Sequence, residues 1–255
     1  MARIFITGST DGLGRAAAQS LLKDGHDVVL HARTSERASA IADLAARSAG
    51  VVTGDLASAA ATRSIAEQVN AIGRMDAVIH NAGIYSAPGR GATPEGHATL
   101  LAVNTLAPYM LTALIARPRR LVYLSSELHR GARGPLRDID WTDRPWDTGR
   151  AYAETKLHAI ALAFAVARRW PDVLSNAVDP GWVSTKMGGP SAPVDIDTGQ
   201  RTQAWLASSN DPAALQSGHY WRRQRREQPI PEAADIAFQD QLLAQLRALT
   251  GIALP

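Results

Sequence analysis

Tyr152 and Lys156 lie four positions apart in the segment AYAETKLHAIALAFAVARRW and could together transfer a proton near neutral pH. On a helix, positions i and i+4 lie on the same face. A free tyrosine has a pKa of about 10, so it needs a nearby cation to ionise at pH 7. An ammonium group at roughly 4–5 Å would stabilise the phenolate by about 3–4 kcal/mol, so we expect Lys156 to lower the pKa of Tyr152. Two exposed residues of an amphipathic helix are the alternative.

Composition limits the classes of function. The 255 residues include no cysteine, which excludes thiol nucleophiles, disulfides and thiolate metal sites, and we expect a cytoplasmic protein without a metal. A net charge of +3 gives no reason to expect nucleic acid or a membrane as a partner. No apolar run approaches the roughly 20 residues of a membrane span. No aromatic stacking platform or nucleic-acid-binding motif accompanies the basic run 222–226, so we interpret it as a solvated loop with Glu227 nearby.

The alternation of short β-rich segments with longer Ala-rich segments predicts an α/β fold. We expect a single domain over 1–255, a Rossmann-type doubly wound parallel sheet of about seven strands with helices on both faces. The predicted strands are 3–7, 27–31, 50–53, 77–80, 119–124 and 173–178, and the predicted helices are about 13–23, 37–46, 59–72, 95–115, 151–170 and 235–249. Stretches rich in Gly, Pro and Asp predict an insertion at about 127–149 and a substrate loop or lid at about 186–200.

A glycine-rich loop, TGSTDGLG, follows the first predicted strand and precedes the first predicted helix. Its glycines allow a tight turn and let the backbone approach a pyrophosphate, which the helix N-terminus binds through free amides and its dipole. In this context the loop predicts a nucleotide site. The expected contributors are Gly8, Ser9, Thr10, Asp11, Gly12, Leu13, Gly14 and Arg15.

The spacing T-G-x-x-x-G-x-G resembles that of the short-chain dehydrogenase/reductase family, and further motifs of that family occur in its order. These are Asp55-Leu56, Asn81-Ala82-Gly83, Asn104 in Val-Asn-Thr, Ser126, Tyr152-x-x-x-Lys156 and Asp179-Pro180-Gly181. The resemblance implies an oxidoreductase that transfers a hydride between a nicotinamide and a small-molecule carbonyl or alcohol. A regulatory or scaffold protein that senses the cofactor without chemistry is the alternative, although such proteins usually lack the tyrosine or the lysine.

The resemblance also implies roles for the catalytic residues. Tyr152 would pass a proton to or from the substrate oxygen, Lys156 would lower its pKa and hold the nicotinamide ribose, and Ser126 would polarise the carbonyl. Asn104 resembles the fourth member, which bends its helix and holds a water beside the lysine, with backbone capping as the alternative. Ser125 competes with Ser126, but alignment of Leu-Val-Tyr-Leu-Ser-Ser with the family's fifth strand favours the second serine.

Other motif residues are implied to contact the cofactor. Asp55 and Leu56 are expected beside the adenine, although Asp55 could also cap the following helix. The segment Asn81, Ala82 and Gly83 is expected near the ribose, with a simple strand-ending turn as the alternative. The nicotinamide carboxamide is expected to contact Pro180, Gly181, Val183 and Thr185.

The end of the second predicted strand bears on the choice between NADP(H) and NAD(H). An NAD enzyme places an acid there for the ribose 2′-hydroxyl, whereas this chain has Ala32. Arg33 and Arg15 could pair with a 2′-phosphate. NADP(H) is therefore favoured, and NAD(H) stays open if both arginines are only surface charges.

Ser126 and Tyr152 are 26 positions apart, about twice the separation usual in the simplest members of the family. This extension resembles the branch of retinol dehydrogenases, the WW-domain oxidoreductase and protochlorophyllide reductase, which often takes bulky apolar carbonyls or alcohols. A large pocket would then be lined by Trp141, Trp146 and Trp182. Alternatively, these side chains would pack in the core or in a lid. His129 is expected to be an ordinarily exposed loop residue.

A homo-oligomer is a weaker expectation from the same resemblance, because the family often pairs subunits through the tyrosine helix. The residues that could form this face are Leu157, Ile160, Ala161 and Phe164. The same residues could instead pack on the sheet, and a monomer stays open.

Overall fold

Eight strands form one sheet in the computed structural model, which describes residues 1–85, 89–132 and 136–255. The strand order is β3-β2-β1-β4-β5-β6-β7-β8, and neighbouring strands are parallel except for the pair β7 and β8. The strands are β1 (Arg3–Ile6), β2 (Asp27–Ala32), β3 (Gly50–Thr53), β4 (Ala77–His80), β5 (Arg120–Leu124), β6 (Leu174–Asp179), β7 (Tyr220–Arg222) and β8 (Arg225–Glu227). The predicted doubly wound parallel sheet is confirmed, and its order reverses between β1 and β4, where such sheets bind ligands.

Helices cover both faces of the sheet. They are α1 (Gly12–Lys23), α2 (Ser35–Ser39), α3 (Ala42–Ala45), α4 (Ala59–Ile72), α5 (Thr99–Leu101), α6 (Ala107–Leu114), α7 (Thr148–Arg169), α8 (Ile196–Ser208), α9 (Pro231–Ala234) and α10 (Ile236–Thr250). A π-helical segment, Ala102–Leu106, joins α5 to α6, and two 3-10 turns cover Glu127–Gly131 and Leu136–Asp138.

The buried strands alternate their side chains between two apolar layers, as a sheet covered on both faces requires. Phe5 packs in one layer, whereas its neighbours Ile4 and Ile6 pack in the other. The first layer contains residues of α4, α6, α7 and α10, and the second contains residues of α1 and α8. Helices on both faces thus hold the carboxyl ends of the strands at one edge.

Three predictions of secondary structure need correction. The helix expected at 37–46 is two short helices, α2 and α3. The irregular segment expected at 186–200 ends at Asp195, because that side chain accepts a hydrogen bond from the Thr198 amide at 2.7 Å and caps α8. The helix expected at 95–115 begins only at Thr99 and contains the π-helical segment. Part of the predicted insertion at 127–149, residues 133–135, lies outside the described residues.

The basic run 222–226 is not a loop but the centre of a β-hairpin. Arg222 ends β7 and Arg225 begins β8. The two turn residues, Arg223 and Gln224, have φ values of 49° and 58°, as a tight turn between antiparallel strands requires. β8, at the edge of the sheet, is charged and exposed, and β7 has two buried aromatic residues but only three residues in all, so neither strand shows the longer apolar pattern that predicts a strand.

The face of α7 that was expected to pair subunits is largely buried within the chain. Leu157, Ile160 and Ala161 are at most 4% exposed, and Phe164 packs against the same apolar layer. Helix α10 packs beside α7, and Arg168 pairs with Asp240 between the two helices. Packing within one chain therefore accounts for these residues. Within the parts of the chain that the structure describes, no helix has the length and hydropathy to cross a membrane.

Candidate active site

The glycine loop lies between the end of β1 and the start of α1. Gly8 and Gly12 have φ values of 65° and 54°, which favour glycine. A Cβ on Gly14 would lie 2.3 Å from the carbonyl oxygen of Gly8 and 2.4 Å from Nδ2 of Asn81, so only glycine permits this close packing. Asp11 caps α1 by accepting the Gly12 amide at 2.8 Å. The next amides of the first turn have no acceptor within the helix, so they can bind an anion.

A cleft of about 400 Å³ opens in front of this loop, along the carboxyl ends of the strands. The predicted residues that line it are Gly8, Thr10, Asp11, Gly12, Leu13, Arg33, Asp55, Leu56, Asn81, Ala82, Gly83, Tyr152, Lys156, Pro180 and Thr185. Residues far apart in the sequence therefore meet at one site. The cleft is also lined by residues that were not predicted, namely His31, Arg37, Ile84, Val103, Leu124, Ser125, Lys186 and Met187.

Some predicted residues support the cleft from outside its lining. Ser9 is fully buried, and its hydroxyl accepts the His31 amide at 2.8 Å, so it anchors the loop. His31 in turn accepts the Gly8 amide through Nδ1 at 2.9 Å and contacts the Gly54 carbonyl through Nε2 at 2.9 Å. Burial lowers the pKa of His31, which keeps Nδ1 available as an acceptor. Val183 is buried and forms an isolated bridge with Val194.

Tyr152 and Lys156 both lie on α7 with side chains directed into the cleft, and they are 8% and 6% exposed. The Lys156 ammonium is 5.3 Å from the centre of the Tyr152 ring and donates to the Leu124 carbonyl at 3.0 Å. Burial lowers the pKa of Lys156 to about 8, and the carboxylate of Asp179 opposes this effect. The pair can thus exchange protons with groups bound in the cleft.

The expected lowering of the pKa of Tyr152 is wrong for this structure. Burial raises the pKa of Tyr152, because the phenolate loses water, and the negative charge of Asp179 raises it further. A hydrogen bond with Ser126 acts in the opposite direction. Tyr152 is therefore held as a protonated phenol.

The two serines after β5 have different partners. Ser125 is buried, and its hydroxyl donates to the Lys156 carbonyl at 2.8 Å, so it fixes α7 against the end of the strand. Ser126 caps the following 3-10 turn by accepting the Leu128 amide at 3.2 Å, and its side chain lowers the pKa of Tyr152 through a hydrogen bond. Ser125 lines the cleft, whereas Ser126 lies outside its lining, so the choice between the two serines stays a prediction.

Asn104 lies in the π-helical segment between α5 and α6. Its carboxamide accepts the Ile84 amide and donates to the Ile84 carbonyl, both at 2.9 Å, and it donates to the Thr155 hydroxyl at 3.1 Å. A Cβ on Gly83 would be 3.4 Å from both Oδ1 of Asn104 and Nζ of Lys156, which places this amide beside the lysine. The helix is thus distorted at Asn104, and its side chain ties the loop after β4 to α7.

The cations near the cleft differ from those expected. Arg33 lines the cleft as predicted, but Arg15 pairs with Asp43 on the surface at 3.3 Å. Arg37, which was not predicted, lines the cleft and donates to the Thr10 hydroxyl at 3.4 Å. The signal for Arg37 is its position one turn into the helix that directly follows β2.

Asp55 lines the cleft but is not the cap of α4. Its Oδ1 accepts the Ala57 amide at 2.9 Å, which closes a short turn, whereas Ser58 caps the helix. The carboxylate is therefore fixed at the edge of the cleft by its own turn.

Exposed apolar side chains belong to residues that line the cleft or lie within three positions of a lining residue in the sequence. Tyr85 is 40% exposed and packs edge to face on Tyr152 at 4.7 Å. The others are Leu128, Trp182 and Met187, each more than half exposed. By contrast, Trp141 is buried and donates to Glu154 at 3.0 Å, with Trp146 packed on it at 5.5 Å, so these two indoles form core behind Tyr152.

His129 is fully buried, so its expected exposure is wrong. Its ring packs on Tyr220 of β7 at 5.1 Å, contacts the Ser126 carbonyl through Nδ1 at 2.7 Å, and accepts the Ile230 amide through Nε2 at 3.3 Å. Because Nε2 accepts, Nδ1 carries the proton and donates to Ser126. The unexpected β-hairpin is what covers this residue.

Comparison with known proteins places this geometry in a family. A family model described as short chain dehydrogenase matches residues 2–127. The chain is 40% identical to the short-chain dehydrogenase chyC of Penicillium rubens, with 100% of both proteins covered, and 27% identical to retinol dehydrogenase 13 of Homo sapiens, with 99% of this chain and 85% of that protein covered. Its fold matches a crystal structure of an uncharacterized protein from Mycobacterium Paratuberculosis, with a TM-score of 0.83, 25% identity and coverage of 100% and 95%. The chain therefore belongs to the short-chain dehydrogenase family of oxidoreductases.

Proposed function

We propose that this protein is an NADP(H)-dependent oxidoreductase that acts on carbonyl and alcohol groups, with Tyr152 as the general acid and base. The observation that carries the proposal is the position of Tyr152. Tyr152 and the glycine loop line the same cleft, and a hydrogen bond with the Ser126 side chain lowers the pKa of Tyr152. The Tyr152 hydroxyl thus lies in the same cleft as the loop that would bind the pyrophosphate of a dinucleotide.

The cleft fits a dinucleotide. A Cβ on Gly12 would lie 3.6 Å from Cγ2 of Thr185, so the missing side chain keeps the space between the loop and Thr185 open. The first turn of α1 would bind the pyrophosphate, Asp55 would lie by the adenosine, and Lys156 would hold the nicotinamide ribose. A bound nicotinamide supplies or accepts the hydride.

The charges at the end of β2 favour NADP(H). Ala32 is buried and offers no carboxylate to the ribose 2′-hydroxyl, while Arg33 and Arg37 are exposed cations that line the cleft. A 2′-phosphate would form charge-assisted hydrogen bonds with these guanidinium groups. Arg15 pairs with Asp43 at 3.3 Å and does not line the cleft, whereas Arg37, which lies 3.8 Å from Asp11, does line it.

The residues around the substrate oxygen have distinct tasks in reduction. The Tyr152 hydroxyl gives its proton to that oxygen, and the Ser126 hydroxyl donates a hydrogen bond to it, which stabilises the charge that develops there. Lys156 adds a positive charge beside the phenolate that Tyr152 leaves. Asn104 holds the Ile84 loop against Thr155 and so keeps the wall beside Lys156 in place.

The substrate that we propose is a carbonyl compound or alcohol with a bulky apolar part. Met187 lines the cleft, and Leu128 and Trp182, which are within three positions of lining residues, also expose apolar surface, as a site for such a group requires. Trp182 is steadied by a hydrogen bond from its indole to the Gly188 carbonyl at 2.8 Å. The name of the relative retinol dehydrogenase 13 agrees with an apolar substrate.

A screen of the purified protein tests this function. NADPH and NADH consumption is followed with aldehydes, ketones and quinones of increasing apolar bulk, and reactions without a carbonyl compound serve as controls. We expect carbonyl-dependent consumption of NADPH that rises with apolar bulk, together with formation of the alcohol. Consumption with none of the compounds would overturn the proposal.

A further inference from the structure

Tyr85 is an exposed aromatic residue in direct contact with Tyr152. The centres of the two rings are 4.7 Å apart, and the ring planes meet at 85°. This is the edge-to-face geometry that pairs of aromatic side chains prefer. Tyr85 is nevertheless 40% exposed, whereas Tyr152 is 8% exposed. Part of the Tyr85 ring therefore packs on the proposed proton donor, and the rest of the ring is accessible to a ligand.

The backbone that precedes Tyr85 is fixed. The amide and the carbonyl of Ile84 are both hydrogen-bonded to the carboxamide of Asn104 at 2.9 Å. Ile84 lines the cleft, and it packs against the buried cluster that contains Tyr152 and Trp141. Tyr85 is thus bonded to one residue that lines the cleft and packed on another. Its position beside Tyr152 is set from two sides.

The contact that Tyr85 makes is a contact of its ring. Its hydroxyl has no hydrogen-bond partner in the part of the chain that the structure describes. The buried phenols differ, because Tyr109 donates to a backbone carbonyl at 2.7 Å and Tyr123 shares a hydrogen bond with Thr112 at 2.8 Å. Tyr85→Phe therefore keeps the contact that the structure shows.

The other groups around Tyr152 are buried. Leu100 and Trp141 belong to the same buried cluster as Tyr152. The ammonium group of Lys156 lies 5.3 Å from the centre of the Tyr152 ring. Each of these three neighbours is at most 6% exposed. Compared with them, Tyr85 is the neighbour that offers accessible aromatic surface to a substrate bound at Tyr152.

We propose that Tyr85 is a specificity-determining residue that selects carbonyl compounds with an aromatic ring bonded to the carbonyl carbon. This inference rests on the proposed function. When the carbonyl oxygen contacts the Tyr152 hydroxyl, the aryl group packs on the exposed part of Tyr85, at the about 4.5–7 Å between ring centres at which aromatic rings pair. A saturated ring of similar size has no π-system and lacks this additional attraction.

Two matched ketones test this role, acetophenone and cyclohexyl methyl ketone, which share the carbonyl group and differ in whether the ring is aromatic. KM and kcat are measured for each ketone with NADPH in wild type, Tyr85→Leu and Tyr85→Phe. We expect Tyr85→Leu to raise the KM for acetophenone about fivefold more than the KM for cyclohexyl methyl ketone. Its kcat should change equally for the two ketones. Tyr85→Phe should keep the wild-type ratio of the two KM values, because it keeps the ring.

A purely structural role of Tyr85 would act through the position of Tyr152 and would change both ketones equally. Equal changes in KM for the two ketones in Tyr85→Leu would therefore overturn the inference, and so would a Tyr85→Phe variant with the ratio of Tyr85→Leu. The Kd for NADPH, from a fluorescence titration, should agree within about twofold among the three proteins, which shows that each is folded.

Wild type alone gives a second measurement, independent of how well the variants fold. Its KM for acetophenone should be lower than its KM for cyclohexyl methyl ketone. Equal values, or reduction of other carbonyl compounds but not of acetophenone, would overturn the inference and leave the proposed function intact. Absence of any carbonyl reduction by wild type would instead refute the proposed function and this role of Tyr85 with it.

Discussion

The two ends of the cleft differ in whether the backbone or the side chains form them. At the cofactor end, backbone geometry makes the site: glycines with positive φ, a helix N-terminus and a turn closed by Asp55. At the substrate end, buried side chains make it, through the contacts of Asn104 and the charge of Asp179. Backbone geometry depends on short motifs, whereas side-chain contacts join residues that are distant in the sequence. The first end is therefore the easier to predict and the second the easier to disturb by changing a charge.

The segment before α7 should give the largest difference in unfolding free energy between a variant and its control. Arg144 contacts both carboxylate oxygens of Glu154, which is 3% exposed, and its guanidinium stacks on Trp141 at 3.6 Å. Arg144→Leu leaves Glu154 buried without its cation, so we expect the free energy of unfolding to fall by about 3–5 kcal/mol in a denaturant titration. Arg168→Leu is the matched control, because its partner Asp240 is exposed, and it should cost at most about 1 kcal/mol. Equal losses would show that side-chain charges at this end matter no more than those on the surface.

A glycine in the loop tests the cofactor end. Gly14→Ala places a Cβ 2.3 Å from the Gly8 carbonyl oxygen, so we expect a loss of about 1–3 kcal/mol in unfolding free energy and weaker NADPH binding in a fluorescence titration. Gly131→Ala is the control, because a Cβ there would meet only the Cβ of Ala153 at 3.8 Å. NADPH affinity that is the same in both variants would contradict a role for tight backbone packing at this end.

The smallest expected effect concerns the selection of NADPH. Arg37→Ala removes an exposed cation from the cleft, so we expect the KM for NADPH to rise about tenfold while the KM for NADH stays constant. Arg33→Ala should act in the same direction. Arg15→Ala should change neither value by more than about twofold, because Arg15 pairs with Asp43. A larger effect of Arg15 than of Arg37 would restore the assignment made from sequence.

The difference between the two ends also explains which features the sequence predicts. The motif TGSTDGLG predicts the loop and the cleft, and Ala32 at the end of β2 predicts a site without a carboxylate at that position. These features depend on local backbone and on position in the chain. The hairpin of β7 and β8 was missed because both strands are short and β8 is charged. The burial of His129 was missed with it, because this hairpin covers that residue. The direction in which the pKa of Tyr152 shifts depends on burial and on the charge of Asp179. Only the folded chain brings that charge to bear on Tyr152. The roles of the site residues and the single domain over 1–255 stay predictions.

The most direct test of the central claim is the comparison of Tyr152→Phe with wild type in one carbonyl reduction. Removing the proton donor should lower kcat by about 10²–10⁴-fold, while the Kd for NADPH, measured by fluorescence titration, changes by less than about twofold. A variant that retains most of the wild-type kcat, with the same affinity for NADPH, would contradict the assignment of Tyr152 as the proton donor.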